Sequence, residues 1–272
     1  MQYKLLVSDF DGTIFSKEQG IRQEDVQAVR RYISNGGLFA FCTGRMFSGI
    51  LPFAQAMGLK GILAASQGAV IADIETGKRF VDARIEHNLA IEVAGFFQSF
   101  GPKSHIHVYD GEELYINQDN EQRKNYEAGC QISSILTDFD IAKQIEEKKI
   151  SPNKINIFCN PEQKSAILQQ TQEKFNATCY VTTSSHNWVE VSPKNIDKGT
   201  ALHFIANYYN VPIAQTVAVG DNENDFPMIM QAGVGCAVEN ATATIKSIAK
   251  FITKSNVNGG VAEVIHRFFE GE

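Results

Sequence analysis

No stretch of the chain approaches the roughly 20 apolar residues that a membrane-spanning helix needs, since the first apolar segment ends at Val7 and is broken by Ser8 and Asp9. Nothing near the N-terminus joins a basic stretch to a long apolar one, so neither a leader nor a membrane partner is expected and the reading is a cytoplasmic protein. Cysteine is scarce. Cys42, Cys130, Cys159, Cys179 and Cys236 are odd in number, scattered and free of Cys-x-x-Cys spacing, which argues against a disulfide framework and a zinc site. Lys/Arg runs are missing too, and the net charge is −6, so neither nucleic acid nor an acidic membrane is the expected partner and a small molecule is. The first turn lacks G-x-G-x-x-G and no G-x-x-x-x-G-K-[ST] occurs, which sets aside a dinucleotide dehydrogenase.

What is present is an ordinary globular composition, 43% hydrophobic and 21% charged over 272 residues, enough for one large α/β unit or two smaller ones. Tyr3 to Val7 is mostly apolar on both faces, as a strand inside a parallel sheet is. Gln23 to Asn35 has Val26, Val29 and Ile33 at helical spacing and stops at Gly36-Gly37. A second strand, Leu38 to Cys42, is followed by a helical stretch to Met57 and a third strand, "GILAAS". This rhythm predicts a doubly wound, Rossmann-like parallel sheet with ligands at the carboxyl ends of its strands.

The texture changes after "ETGKRFVD", which reads as the return arm of a short hairpin. A helix is expected from about His87 to Phe100, a hairpin at Asp110-Gly111, and strands "KINIFC" and "TCYVTT" around a helix from Lys164 to Phe175. After Trp188 the first rhythm resumes with a helix from Lys198, the strands "TVAVG" and "VGCAV", and helices near 241–249 and 260–269. The expected organisation is a core from 1–82 and 188–272, split by an inserted α+β cap or substrate domain at 83–187.

Four loops at strand or helix ends carry chemistry. In Asp9-Phe10-Asp11-Gly12-Thr13, two acids on a bending chain can share a cation and divide nucleophilic and acid/base work; a lone Asp-x-Asp is more often a solvated turn, a reading that the buried strand in front and the full string weaken. Thr43-Gly44-Arg45 offers a hydroxyl, backbone N–H groups and a guanidinium to an anion, and by itself also fits a Thr N-cap. Lys198 in "NIDKGTAL" opposes the dipole of the helix it starts, unless it is a surface lysine with Asp197 as cap. In "VGDNENDFPMI", Asp221, Glu223 and Asp225 gather negative charge that a hard cation such as magnesium would relieve. An EF-hand is excluded, because Phe226 and Ala232 stand where its loop needs Gly and Glu. Paired acids, an oxyanion turn, a lysine and a metal carboxylate add up to phosphoryl transfer.

At these strings, "DFDGT", "TGR", "NIDKGTAL" and "GDNENDFPM", with "AGVGCAVENA" and "NGGVAEVI" behind them, the sequence resembles the haloacid dehalogenase superfamily of phosphatases, in the Cof-type branch with a large α/β cap. The resemblance implies that Asp9 is the nucleophile that becomes an aspartyl phosphate and Asp11 the general acid and base. It also implies Mg²⁺ held by Asp9, the backbone carbonyl of Asp11 and Asp221, with Asp225 supporting the metal from behind. Thr43, Gly44, Lys198 and Asn224 would bind the phosphoryl group, and Arg45 would contact phosphate or substrate. The family commonly has Asn-Gly-Ala after the third strand; here Ser66-Gln67-Gly68-Ala69 would turn a longer amide, Gln67, to the substrate opening. Asn195 stands where a Gly is usual and tolerates the same left-handed backbone.

The leading expectation is a Mg²⁺-dependent phosphatase acting on a small phosphorylated metabolite such as a sugar phosphate. A phosphosugar mutase and a non-catalytic metabolite-binding protein are the alternatives. In the cap, His105, His107 and Tyr109 share one strand face, and His186, Asn187 and Trp188 lie near the return to the core. They are either substrate contacts, His186 above all, or ordinary sheet-face and hinge residues.

Overall fold

The strand Leu5–Ser8 is buried along its whole length because it lies between two others: it pairs in parallel with Leu38–Phe41 on one side and Thr216–Gly220 on the other. The computed structural model describes residues 2–270. Val234–Val238 and then Phe251–Thr253 extend this parallel five-stranded sheet. Successive residues feed opposite faces: Leu6 joins a cluster with Phe10, Phe41 and Val264, whereas Leu5 and Val7 meet Ile62, Leu202 and Ile205. Burial on both faces is why these strands are nearly continuous apolar runs. Chain order reverses between Leu5–Ser8 and Thr216–Gly220, and there a doubly wound sheet opens a crevice at its carboxyl edge.

The third expected strand departs from the parallel scheme. Ile62–Ala65 shares with the main sheet a lone parallel bridge, Ala64 to Cys42, and instead pairs antiparallel with Val70–Asp73, which pairs with Arg79–Asp82. The tight Ser66-Gln67-Gly68 turn reverses the chain before any crossover helix can form, so its local geometry sets the pairing.

A six-stranded sheet, mostly antiparallel, forms a separate layer in the order Ile135–Leu136, Glu113–Ile116, His105–Asp110, Lys154–Phe158, Trp188–Pro193, Cys179–Thr182. One face, with Ile106, Val108, Ile155, Ile157, Val189 and Val191, packs on Val93 and Phe97 of the helix His87–Gln98 and on Ile167 and Phe175 of Pro161–Phe175. The other face turns toward the first sheet. Trp188–Pro193 hydrogen-bonds within this second sheet, so pairing assigns it there, beyond the expected boundary at 187/188. Two further helices, Glu121–Cys130 and Ile141–Lys148, have no counterpart in the sequence reading. The first buries none of its residues and therefore shows no apolar period.

Candidate functional site

The four loops meet at the carboxyl edge of the parallel sheet. Asp9 follows Leu5–Ser8 directly and is held by its backbone N–H donating to Val219 O (3.0 Å). The chain turns at Gly12, whose φ of 83° suits glycine and whose missing Cβ would lie 2.5 Å from Asp221 Oδ2; only Gly lets the turn come so close. Thr13 Oγ1 donates to Asp221 Oδ1 at 2.8 Å, tying the first loop to the fourth.

Lys198 is fully buried, which excludes the surface-lysine reading; Asp197 and Thr200 form the capping box that starts its helix. Its Nζ donates to Asp9 Oδ1 at 2.5 Å and Asp225 Oδ1 at 2.6 Å. Burial favours the neutral amine, but Asp225 and Asp9 together hold Lys198 charged, with its pKa raised. Asp225 Oδ2 accepts the backbone N–H groups of Asp221 and Asn222, so both its oxygens are engaged. Burial, then repulsion from Asp225, pushes the Asp9 carboxyl up to about 7 against the pull of Lys198. Burial, Asp9 and Asp225 raise Asp221 well above its ordinary value.

Asp9, Asp221 and Asp225 bring one carboxylate oxygen each to within 4.8 Å of one another. Three acids share one lysine, and the excess negative charge calls for protons or a divalent cation. An all-oxygen donor set of this kind fits Mg²⁺. With Asp225 already saturated, Asp9 and Asp221 are the side chains with oxygens to give.

Arg45, expected to contact phosphate or substrate, is engaged by groups of the protein itself. Its Nε and Nη2 both donate to the Asp11 carboxylate at 2.7 Å, and its guanidinium lies over the rings of Phe10, Phe15 and Phe53 at 4.6, 5.0 and 5.3 Å from their centroids. Asp11 is thereby turned toward Arg45 with its side chain 49% exposed, while its charge still raises the Asp9 pKa. Thr43 is buried and its Oγ1 accepts the Arg45 N–H.

Gln67, expected to face the substrate opening, is fully buried. Its Nε2 donates to Glu190 Oε2 at 3.0 Å and its Oε1 accepts from Asn224 Nδ2 at 3.1 Å, so one amide bridges the two sheets' loops. Lys154 completes the bridge, donating to Glu190 Oε2 (3.1 Å) and Gly44 O (2.8 Å). Burial alone would raise the Glu190 pKa, but Lys154, Gln67 and Ser184 hold it below its ordinary value. Ser66 and Gln67 are both left-handed, φ 49° and 62°, a strain of about 1–2 kcal/mol per residue. The bonds Ser66 N–H to Arg45 O and Gln67 N–H to Thr43 O hold the turn in place.

A cavity of about 670 Å³ opens over this floor, within the range of small-molecule sites. Asp9, Asp11 and Thr43 line it on one side and Tyr126, Lys154 and Trp188 on the other; Gly44, Arg45, Asp221 and Asn224 also reach it. Lys198, Asp225 and Gln67 stand behind the lining. His186 is exposed and outside it; the turn there contributes Ser184 and Ser185 instead.

Residues 6–265 match the family model of haloacid dehalogenase-like hydrolases. The chain belongs to that family. Among its relatives is a putative phosphatase of Haemophilus influenzae, 29% identical over 269 residues covering 99% of each chain. Another is a 5-amino-6-(5-phospho-D-ribitylamino)uracil phosphatase of Bacillus subtilis, 27% identical with 99% of each covered. The crystal structure of a putative HAD/COF-like hydrolase from Plasmodium vivax superposes with a TM-score of 0.89 at 27% identity, covering 99% of this chain and 96% of that one. This haloacid dehalogenase-like hydrolase is a phosphoric monoester hydrolase of the Cof type.

On the hydrolase's far wall, sequence reasoning reached Trp188 and missed Tyr126, Lys154 and Glu190. Tyr126 lies on a helix without an apolar period, and Lys154 and Glu190 read as strand residues until the sheet register sets Asn156 opposite Glu190 and Lys154 opposite Tyr109. The one available signal was a charged residue at an inward position of two strands otherwise rich in apolar residues.

Proposed function

We propose that the chain hydrolyses phosphomonoesters of small metabolites through an aspartyl phosphate on Asp9, with Mg²⁺ held by Asp9, the Asp11 backbone carbonyl and Asp221. The observation that carries this reading is the buried Lys198 between Asp9 and Asp225, with Asp221 beside them, at the switch point of the sheet. In place, the cation would offset the carboxylates' repulsion and the charge of the phosphoryl oxygens.

The Asp9 oxygen not engaged by Lys198 attacks phosphorus as the bond to the leaving oxygen breaks. Asp11, turned from Arg45 toward the cavity, gives its proton to that oxygen. It then takes a proton from water, whose oxygen attacks the aspartyl phosphate and restores the Asp9 carboxylate as inorganic phosphate leaves. Thr43, the Gly44 backbone, Lys198 and Asn224 bind the phosphoryl group, and Asp225 fixes Lys198 and the start of the Asp221 loop. Residues 83–187, with the strand Trp188–Pro193, act as a cap that closes over the leaving group and excludes water. The ribityl phosphate in the name of the Bacillus subtilis relative supports a phosphorylated sugar or polyol as substrate class.

The test uses p-nitrophenyl phosphate with and without Mg²⁺. Wild type turns over only with the metal, and Asp9→Asn loses about 10³-fold or more, the scale expected when a nucleophile is removed. Asp11→Asn stops turnover yet keeps the Mg²⁺-dependent rise in melting temperature, because only its backbone carbonyl holds the ion. Metal-independent turnover, or an active Asp9→Asn protein, refutes the reading.

A further inference from the structure

Behind the cavity's far wall runs a chain of hydrogen bonds whose direction follows from its first member. Asn120 Oδ1 accepts the Arg123 N–H at the start of the helix Glu121–Cys130 (3.1 Å), so Nδ2 is the Asn120 atom that faces His105 Nδ1 (3.2 Å). An amide nitrogen only donates; His105 Nδ1 therefore accepts and its proton sits on Nε2. That Nε2 lies 2.7 Å from His107 Nε2, which must accept, leaving the His107 proton on Nδ1 to donate to the Tyr109 hydroxyl at 3.2 Å. Tyr109 in turn donates to the Tyr126 hydroxyl at 2.8 Å. Both imidazoles are neutral at pH 7, since burial pushes His105 down to about 4 and His107 well below its ordinary value.

The relay ends on a weakly used proton. Tyr126 accepts from Tyr109, and its own O–H turns to the Cys130 thiol, a weak acceptor that lines the cavity with it. Beside it, Asn156 also lines the cavity, is 3% exposed, directs Nδ2 toward the Tyr109 hydroxyl, and has an Oδ1 with no hydrogen-bond partner among the described residues. Buried polar atoms without partners are rare enough to call for a reason. A donor engaged only by a thiol and an acceptor without a partner thus flank one hydroxyl, that of Tyr109. An alcohol O–H is the smallest group that satisfies both, because it accepts and donates at once.

We propose that Tyr126 and Asn156 form a subsite for a hydroxyl of the leaving group, with the Asn120–His105–His107–Tyr109 relay fixing Tyr126 as the donor. The two residues then determine specificity for phosphomonoesters of polyhydroxylated alcohols over those of aromatic or apolar ones. This deepens the hydrolytic reading above and rests on it. Lys154 and Glu190, on the same sheet face and lining the same cavity, are already paired with each other, with Gly44 O and with Gln67, which leaves Tyr126 and Asn156 as the groups on this wall for a ligand hydroxyl.

The experiment compares kcat/KM for ribitol 5-phosphate and p-nitrophenyl phosphate in wild type, Tyr126→Phe and Asn156→Leu, all with Mg²⁺. Each variant is expected to lower the ratio of the two by about ten-fold, the size of one lost hydrogen bond to a ligand hydroxyl. An unchanged ratio in both variants, or a wild type that prefers p-nitrophenyl phosphate, overturns the subsite. In wild type, needing no variant to fold, ribitol inhibits p-nitrophenyl phosphate hydrolysis more strongly than 1,5-pentanediol; equal effects count against it. A wild type that hydrolyses neither ester sinks the hydrolytic reading instead. The subsite is then judged on melting temperature, which ribitol 5-phosphate raises more than phenyl phosphate in wild type and equally in Tyr126→Phe; no such difference in wild type overturns it.

Discussion

Arg45 shows what one side chain contributes once its partners are known. Its fork matches the Asp11 carboxylate with two bonds of 2.7 Å, and its flat face rests on three phenylalanines, a combination that lysine cannot reproduce. It is 5% exposed and holds the Asp11 carboxylate in place. Arg45→Lys is expected to destabilise the fold by roughly 1.5–3 kcal/mol, the size of a charge-assisted bond, read as a lower denaturation midpoint with KM for p-nitrophenyl phosphate nearly unchanged. A raised KM at wild-type kcat would return Arg45 to the role of phosphate or substrate contact. Asp9, Asp11, Lys198 and Asp221 were legible because each stands in a short string whose chemistry is local. The Arg45 pairing was not, since its partner lies 34 positions earlier and which acid it meets depends on how two loops end at neighbouring strands.

At the scale of elements, the Ser66-Gln67-Gly68 turn decides how the second layer sits on the first. Gln67 spans from Asn224 to Glu190, a reach that the shorter Asn cannot make. Gln67→Asn leaves a buried carboxylate short of one donor, a loss of about 1–3 kcal/mol. For a chain of this size that corresponds to a drop of several degrees in melting temperature, at roughly 2–4 °C per kcal/mol. A variant that melts like wild type would show that the bridge contributes nothing to closure. The sequence marked this position as unusual without revealing its partner, because Glu190 belongs to a strand 123 positions away in another sheet. The helix Glu121–Cys130 was illegible for a different reason: it lies on the surface, buries none of its residues, and matters only through the face it turns to the cavity.

Across the whole molecule, the two ends of the chain are joined away from the site. Asp25, in the helix Gln23–Ser34, is fully buried and its Oδ1 accepts the Ala262 N–H at 2.7 Å, at the start of the helix Gly260–Ile265. Its Oδ2 has no hydrogen-bond partner among the described residues, and burial pushes its carboxyl from 3.8 up to about 6. A raised carboxyl means that the fold prefers the protonated form, so this contribution is complete below about pH 4 and is lost as pH rises through 6. Asp25→Asn removes the titrating group while keeping the Oδ1 acceptor. Between pH 4 and pH 7, denaturant unfolding is expected to shift in the variant's favour relative to wild type by up to ~3 kcal/mol; a pH-independent difference refutes the assignment. By itself the sequence determined the parallel core, the four loops that meet at its carboxyl edge and the change of texture that marks a second layer, because strand burial, turn chemistry and motif spacing are written in neighbouring residues. Only the tertiary structure decided what Arg45, Gln67 and Tyr126 touch. Those contacts are made between residues far apart in the chain, and their geometry is set by sheet register and by how one layer seats on the other.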